Sequence, residues 1–356
     1  MVAGVLRPVS NPPNPWLSTA VEYLEEVPPA RLEVFEDTTR SIVAENDSPD
    51  VGFRYSVNPY RGCVHGCAYC YARPSHEYLS FGAGTDFDRK ITVKREAPRL
   101  LEEAFERPSW RGELLMFSGI TDCYQPLEAH YRLTRGCLEV CARYRNPVGV
   151  ITKAPLIERD IDVLVELQRV ASCSVTVSIP IWDAERARAI EPYVASPQRR
   201  MKTVERLAAA GLDVGVNLAP IIPGLNDEDI VRVLEAAKGA GARHAGYVFL
   251  RLPGPVATVF EARVREAMPL RAERILARVR EARGGKLYDS TWGKRQTGEG
   301  PYAMQAGALF RATCRRLGLA HYDGEAPDTI DEGTPSETRP STFTRPPKPG
   351  QQLTLL

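Results

Sequence analysis

Cys63, Cys67 and Cys70 lie within eight residues of one another, in the stretch SVNPYRGCVHGCAYCYARPSHEYL. Their C-x3-C-x2-C spacing is the feature of this sequence best able to do chemistry. Thiolates are soft ligands, and three of them on a short loop with Gly62 and Gly66 can wrap one small metal object. A structural zinc site takes four ligands. His65 sits inside the loop and completes a Cys3His set only through a tight reversal. A cubane iron–sulfur cluster on three thiolates leaves one iron open, as a catalytic cluster needs. The spacing alone leaves both choices open.

Such a loop needs a scaffold, and the sequence around it alternates regularly. Strand-like segments at 52–58, 113–117, 147–152, 173–181, 213–218 and 245–251 are rich in β-branched or apolar residues. Helix-like segments lie between and after them: Ala97–Phe105, about 128–144, 158–170, a helix opened by Ser196-Pro197 and closed by Gly211, one capped by Asn226 or Asp227, and a long one over about 257–283. Six strand–helix units in series predict an α/β fold with a parallel sheet, curled into a partial (β/α)6 TIM-type barrel. A further helix is expected at 301–317. The expected organisation is an N-terminal extension over 1–50, a core over 51–255, a C-terminal helical basic segment over 256–322 and a disordered tail over 323–356. The extension, with nine acidic and three basic residues and repeated prolines, is expected to wrap the core.

The motif C-x3-C-x-aromatic-C, with Tyr69 as the aromatic, resembles the cluster motif of the radical S-adenosylmethionine (SAM) superfamily. The six units that follow resemble that superfamily's partial barrel, and the resemblance covers roughly residues 52–255. Tyr69-Cys70-Tyr71 and the strand ends are most similar to the spore photoproduct lyase-like branch, whose members also carry a DNA repair photolyase label. The resemblance implies a [4Fe–4S] cluster on Cys63, Cys67 and Cys70 whose open iron chelates SAM. One electron then splits SAM into methionine and a 5′-deoxyadenosyl radical, with flavodoxin or ferredoxin as reductant. Ser118, Gly119 and Asp122 match the place of the SAM-amine contacts. Lys153 matches a lysine that meets the SAM carboxylate, and Arg199 or Arg200 is a second candidate for that role. Ser178 matches a serine that contacts SAM. Asn217 and the turn Ile221–Gly224 resemble the segment flanking adenine, against which Tyr69 also packs. Tyr71 packs on the cofactor or relays a radical. The branch's hydrogen-donating cysteine aligns with Gly119 here; Cys123, four residues later, is the candidate substitute.

Other features point outward. Cys137 and Cys141, one helical turn apart, form a second metal site with Cys123 or His130, or else sit in the core with Cys173 and Cys314. Trp182 lines a substrate pocket or packs. Residues 263–316 carry thirteen Lys/Arg against five Asp/Glu, and the loop WGKRQTGEGPY is a candidate grip for nucleic-acid phosphates. The last residues, Gln352–Leu356, resemble the peptide that binds the bacterial sliding clamp. Three functions follow: a radical SAM enzyme acting on nucleic acid such as damaged DNA, one acting on a small metabolite or peptide, and a zinc-binding adaptor for the clamp. The 356 residues carry a net charge of +1, which argues against a bulk electrostatic binder of nucleic acid or membrane. No apolar run approaches a membrane span, and the four prolines by residue 15 do not suit a secretory signal. Reduced cysteines and no export signal fit the cytoplasm.

Overall fold

The computed structural model describes residues 31–322 and 341–347. An eight-stranded sheet forms the centre. Its strands are β2 (Val43–Glu45), β3 (Tyr55–Val57), β6 (Leu115–Phe117), β7 (Val148–Thr152), β8 (Cys173–Ser178), β9 (Asp213–Ile221), β10 (His244–Phe249) and β11 (Ala320–Tyr322). They lie side by side in that order, all parallel except the antiparallel edge pair β2–β3. The run from β3 to β10 contains the six expected units. The sheet curls without closing, with β2 and β11 at its edges. A second sheet, β1 (Glu33–Glu36), β5 (Lys90–Val93) and β4 (Tyr60–Arg61), lies beside the cysteine loop. The extension therefore contributes a strand to each sheet, through β1 and β2.

Side-chain alternation explains both the core and the opening it surrounds. On β8, Cys173, Val175 and Val177 are buried, while Ser174 and Thr176 are half-buried. Register places Met116, Gly149 and Ser174 side by side, then Ile151, Thr176, Gly215 and His244 two residues further on, and Ser178, Asn217 and Gly246 beyond those. These rows are built largely of small residues, so the concave side stays open towards the C-terminal strand ends. Gly215 is required: a Cβ there would stand 2.2 Å from His244 Cδ2.

Several expected elements change. The helix expected over 128–144 is two helices, Glu128–Tyr131 and Leu133–Arg143, broken by Arg132 at φ +53°. The break lets the Glu128 carboxylate accept the Thr134 and Arg135 amides at 3.0 and 3.2 Å, capping the second helix. The helix expected over 257–283 is Val256–Ala267 and Ala272–Glu281, because Pro269 has no amide hydrogen to continue the ladder. Ser196 caps Pro197–Ala209 as expected, accepting from Arg199 N at 3.2 Å. Asn226 caps nothing; its amide ties Ile222, Pro180 and Pro220 together.

The expected disordered tail is corrected at residues 341–347, which dock on the body. Phe343 packs against Phe105 and Tyr144, and Thr344 N donates to Tyr144 O at 2.9 Å. The Arg345 guanidinium donates to the carbonyls of Phe105, Arg107 and Trp110 at 2.9, 2.7 and 3.2 Å, in and just past the last turn of helix Ala97–Glu106. Gly112, at φ +81°, makes room, since a Cβ would meet Phe343 Cβ at 2.2 Å. A composition average over thirty-odd residues hides one ring and one guanidinium placed this well. The clamp-like Gln352–Leu356 lies outside the described residues. Among the described residues no helix is long and apolar enough to cross a membrane.

Candidate active site

The cysteine loop enters from β4 and lies across the C-terminal ends of the large sheet. Gly62 and Gly66 turn it at φ +75° and +64°, and a Cβ on either would come within 2.9 Å of a neighbour. Three side chains fix its path. Arg73, fully buried, donates to Cys67 O at 3.1 and 3.0 Å and to the carbonyls of Ala83 and Gly84, with Asp88 as counter-ion at 2.9 Å. Gln125 donates to Gly62 O and accepts from Val64 N. The Tyr69 hydroxyl donates to Glu191, whose other oxygen accepts from Arg200 at 2.6 Å; Arg200 also donates to Ser178 O at 2.8 Å. That last chain joins the loop to the end of β8.

Cys63, Cys67 and Cys70 all border one cavity of about 590 Å³, within the range of small-molecule sites. Burial pushes all three thiols up, so binding a metal there must release protons. Among the described residues no three His, Cys, Asp or Glu side chains converge as a single metal ion requires. Three sulfurs around one space can each meet a separate iron of a cluster. The Cys3His zinc set does not form; His65 Nδ1 lies 3.4 Å from Asp122 Oδ2.

The strand ends supply the rest of the wall. Ser118, Gly119, Asp122, Lys153, Ser178 and Asn217 all border the cavity, as do Tyr69 and Tyr71. Lys153 Nζ stands 5.6 Å from the centre of the Tyr69 ring. Tyr71 is partly exposed, and its hydroxyl donates to Gly119 O at 2.7 Å. Asp122 is occupied: it accepts from Thr152 Oγ1, Lys153 N and Tyr124 N at 2.7, 2.7 and 2.9 Å. Burial raises its carboxyl, but His65 and these donors outweigh that and hold it at about 2. It orders the wall and has little capacity left for a ligand amine.

Other candidates lie elsewhere. Cys123 is fully buried and is not on the cavity wall; next to Asp122, it points the other way, and its carbonyl accepts from Thr134 at 2.6 Å. Arg200 is also off the wall and acts through Glu191 and Ser178. Arg199 is turned outward to Glu158 at 2.5 Å. Cys137 and Cys141 are fully buried core residues, and His130 is exposed against Tyr131, so no second metal site forms among the described residues. Cys173 and Cys314 are core residues, and Trp182 packs under Arg232. Many cations of the basic segment are matched by acids, among them Arg278 by Glu281, Lys294 by Glu299 and Arg316 by Glu235. Arg295 does not reach outward for phosphate: it pairs with Asp50 and Ser48 and stacks on Trp292 at 3.7 Å. Gly293 N also donates to Asp50 at 2.8 Å. These contacts latch residues 44–53 to loop 292–296 across the mouth of the cavity. Gln125 and Glu191 carry no local sequence signal for these roles, because Gly62, Val64 and Tyr69 lie 61 or more positions away; Arg73 works within its own loop, and no motif marks it.

Residues 57–237, about half of the chain, match the family model described as the radical SAM superfamily. An uncharacterized protein of Mycobacterium tuberculosis is 40% identical over 204 residues, 57% of this chain and 60% of that protein. The match thus spans less than two thirds of that relative's length. An uncharacterized protein of Methanocaldococcus jannaschii is 28% identical over 202 residues, 57% of this chain and 73% of its own. Among solved structures, a spore photoproduct lyase double mutant with bound AdoMet and dinucleoside spore photoproduct is similar in fold. It covers 82% of this chain and 81% of its own, at a TM-score of 0.56 and 15% identity.

Proposed function

The chain belongs to the radical SAM superfamily, and on that footing we propose that it is an enzyme that holds a [4Fe–4S] cluster on Cys63, Cys67 and Cys70 and cleaves SAM reductively. The observation that carries this proposal is that the three thiols of one loop share a cavity with the strand ends Ser118, Lys153, Ser178 and Asn217. When bound, the cluster supplies the electron that breaks a carbon–sulfur bond of SAM, giving the 5′-deoxyadenosyl radical that removes a substrate hydrogen. The chain's own residues bind, orient and shield. The Lys153 ammonium is the cation placed for the SAM carboxylate. Ser178 and Asn217, neighbours in register, offer a hydroxyl and an amide to the ribose and adenine side. Tyr69, held by Glu191 and Arg200, gives a ring face, and Tyr71 offers a second aromatic surface on the cavity wall. Asp122 and Arg200 are positioning residues. Cys123, off the wall, is not given a donor role.

For substrate, we propose a nucleic acid or a piece of one, most simply a damaged or modified base. Two things support this: the likeness in fold to spore photoproduct lyase, and the rim formed by Phe53, Tyr71 and Trp292, whose aromatic faces suit stacking against a base. Residues 51–255 then form the catalytic core, and 31–50 with 256–322 close it. A flavodoxin or ferredoxin as reductant, and a sliding clamp held by Gln352–Leu356, complete the proposed partners.

Anaerobic reconstitution with iron and sulfide, reduction and addition of SAM tests the core claim. The wild type is expected to form a brown cluster and release 5′-deoxyadenosine, and Cys70→Ala neither. Zinc without sulfide in the wild type would overturn it. Substrate is tested with irradiated DNA and RNA, which should stimulate SAM cleavage; indifference to every lesion offered would remove the nucleic-acid proposal and favour a small metabolite or peptide.

A further inference from the structure

Past the thiols, the cavity runs outward to a wall made by the end of β10 and loop 292–296. Charged groups there are mostly matched already. Glu45 pairs with Arg54 at 2.6 Å, and Arg295 is committed to Asp50 and Ser48. Arg251 differs. It borders the cavity, its guanidinium lies 5.5 Å from the centre of the Tyr71 ring, and its Nε is buried with no hydrogen-bond partner. Among the described residues no carboxylate pairs with it. Gln296 borders the same cavity at 4% exposure, and its amide oxygen is likewise buried without a partner. Phe249 N donates to Gln296 O at 2.7 Å, which sets the two segments side by side. The buried Arg283 next to them donates to the carbonyls of Leu250, Lys294 and Arg295 and lies over the Phe249 ring at 5.9 Å.

Buried polar atoms are nearly always satisfied, yet the Nε of the half-buried Arg251 and the side-chain oxygen of Gln296 are not. A donor and an acceptor left open on one ligand-sized cavity describe an incomplete site. We propose that Arg251 receives an anionic group, a phosphate or carboxylate, with the Gln296 oxygen taking a neighbouring N–H or O–H, and that the anion belongs to the substrate. SAM carries a carboxylate too, but Lys153 already presents a cation on the thiol side, beside Tyr69. Arg251 lies beyond Tyr71, towards Trp292 and the mouth. The inference rests on the proposed use of this cavity for SAM and substrate.

The experiment uses full-length, cluster-reconstituted protein as wild type, Arg251→Gln and Arg251→Lys. Methyl phosphate and acetate are titrated by NMR line broadening, and SAM by equilibrium dialysis. Removing a charge-assisted hydrogen bond should weaken at least one probe by about tenfold or more in Arg251→Gln, while Arg251→Lys retains most of its binding. SAM affinity should stay within about twofold, as for an independent site. A tenfold loss of SAM with both probes unchanged would assign the anion to SAM and overturn the substrate claim. No probe binding in the wild type, or equal binding in all three proteins, would overturn the subsite itself. 5′-Deoxyadenosine release, assayed on the same wild-type samples, reports separately on the radical chemistry, so failure of one claim is told apart from failure of the other.

Discussion

Replacing Arg200 by methionine should destabilise the protein out of proportion to the small loss of volume. Arg200 and Glu191 are each 1% exposed and pair at 2.6 Å, with Tyr69 and the Ser178 carbonyl completing the group. Arg200→Met leaves the Glu191 carboxylate buried with only the Tyr69 hydroxyl and the more distant Lys153 to offset it. Breaking a buried pair from one side costs about 3–5 kcal/mol. At about 2.1 cal/mol/K per residue, each kcal/mol moves the melting temperature of a chain of this length by about 1.3 °C, so a drop of roughly 4–7 °C is expected. Urea unfolding and thermal melting of cluster-free protein measure both. The double variant Glu191→Met/Arg200→Met removes the stranded charge and should recover much of the loss, because apolar replacement of a whole pair is often neutral or better. A loss under about 1 kcal/mol in the single variant, or a double variant worse than the sum of the singles, would refute the reasoning.

Three further outcomes follow from other contacts. His76 is fully buried, its Nε2 donates to Lys90 O at 2.8 Å, and burial pushes it down to about 4. Because the unfolded histidine takes a proton near pH 6.5 and the folded one does not, its neutral form stabilises the fold above that pH, and this contribution is lost as pH falls towards 4. The stability gap between wild type and His76→Gln should shrink over that window by on the order of 3 kcal/mol, as read by urea unfolding at several pH values. Phe343→Ala should cost about 1–2 kcal/mol and expose the amide of Thr344, which hydrogen–deuterium exchange reads directly. Arg295→Ala should speed labelling of the thiols by Ellman's reagent in cluster-free protein by about fivefold, the effect of losing about 1 kcal/mol of latch.

What could be read in advance was what is local. Three cysteines within eight residues need no tertiary information. Lys153, Ser178 and Asn217 are legible through the family resemblance, which matches each by its position at or near a strand end. The period of two along a strand does not separate Asp122, on the wall, from Cys123, in the core, because both lie in the turn after β6, where strand alternation no longer applies. The helix expected over 257–283 runs through Pro269, whose missing amide hydrogen is the local signal for the break. The job of Arg200 was not legible. Its partner Glu191 follows a different helix, and nothing in either segment announces the other. The docked tail was missed for the opposite reason: composition is averaged over a window, while docking depends on two side chains.

The latch between Asp50 and Arg295 spans 245 positions of sequence. At about 5–20 residues per second, roughly ten to fifty seconds of synthesis separate the two partners. The cysteine loop is made early in that interval, yet the outer wall of its cavity does not exist until loop 292–296 has left the ribosome. A carrier that hands iron and sulfide to the growing chain meets an open loop. One that arrives after release meets the same loop with the latched wall already in place.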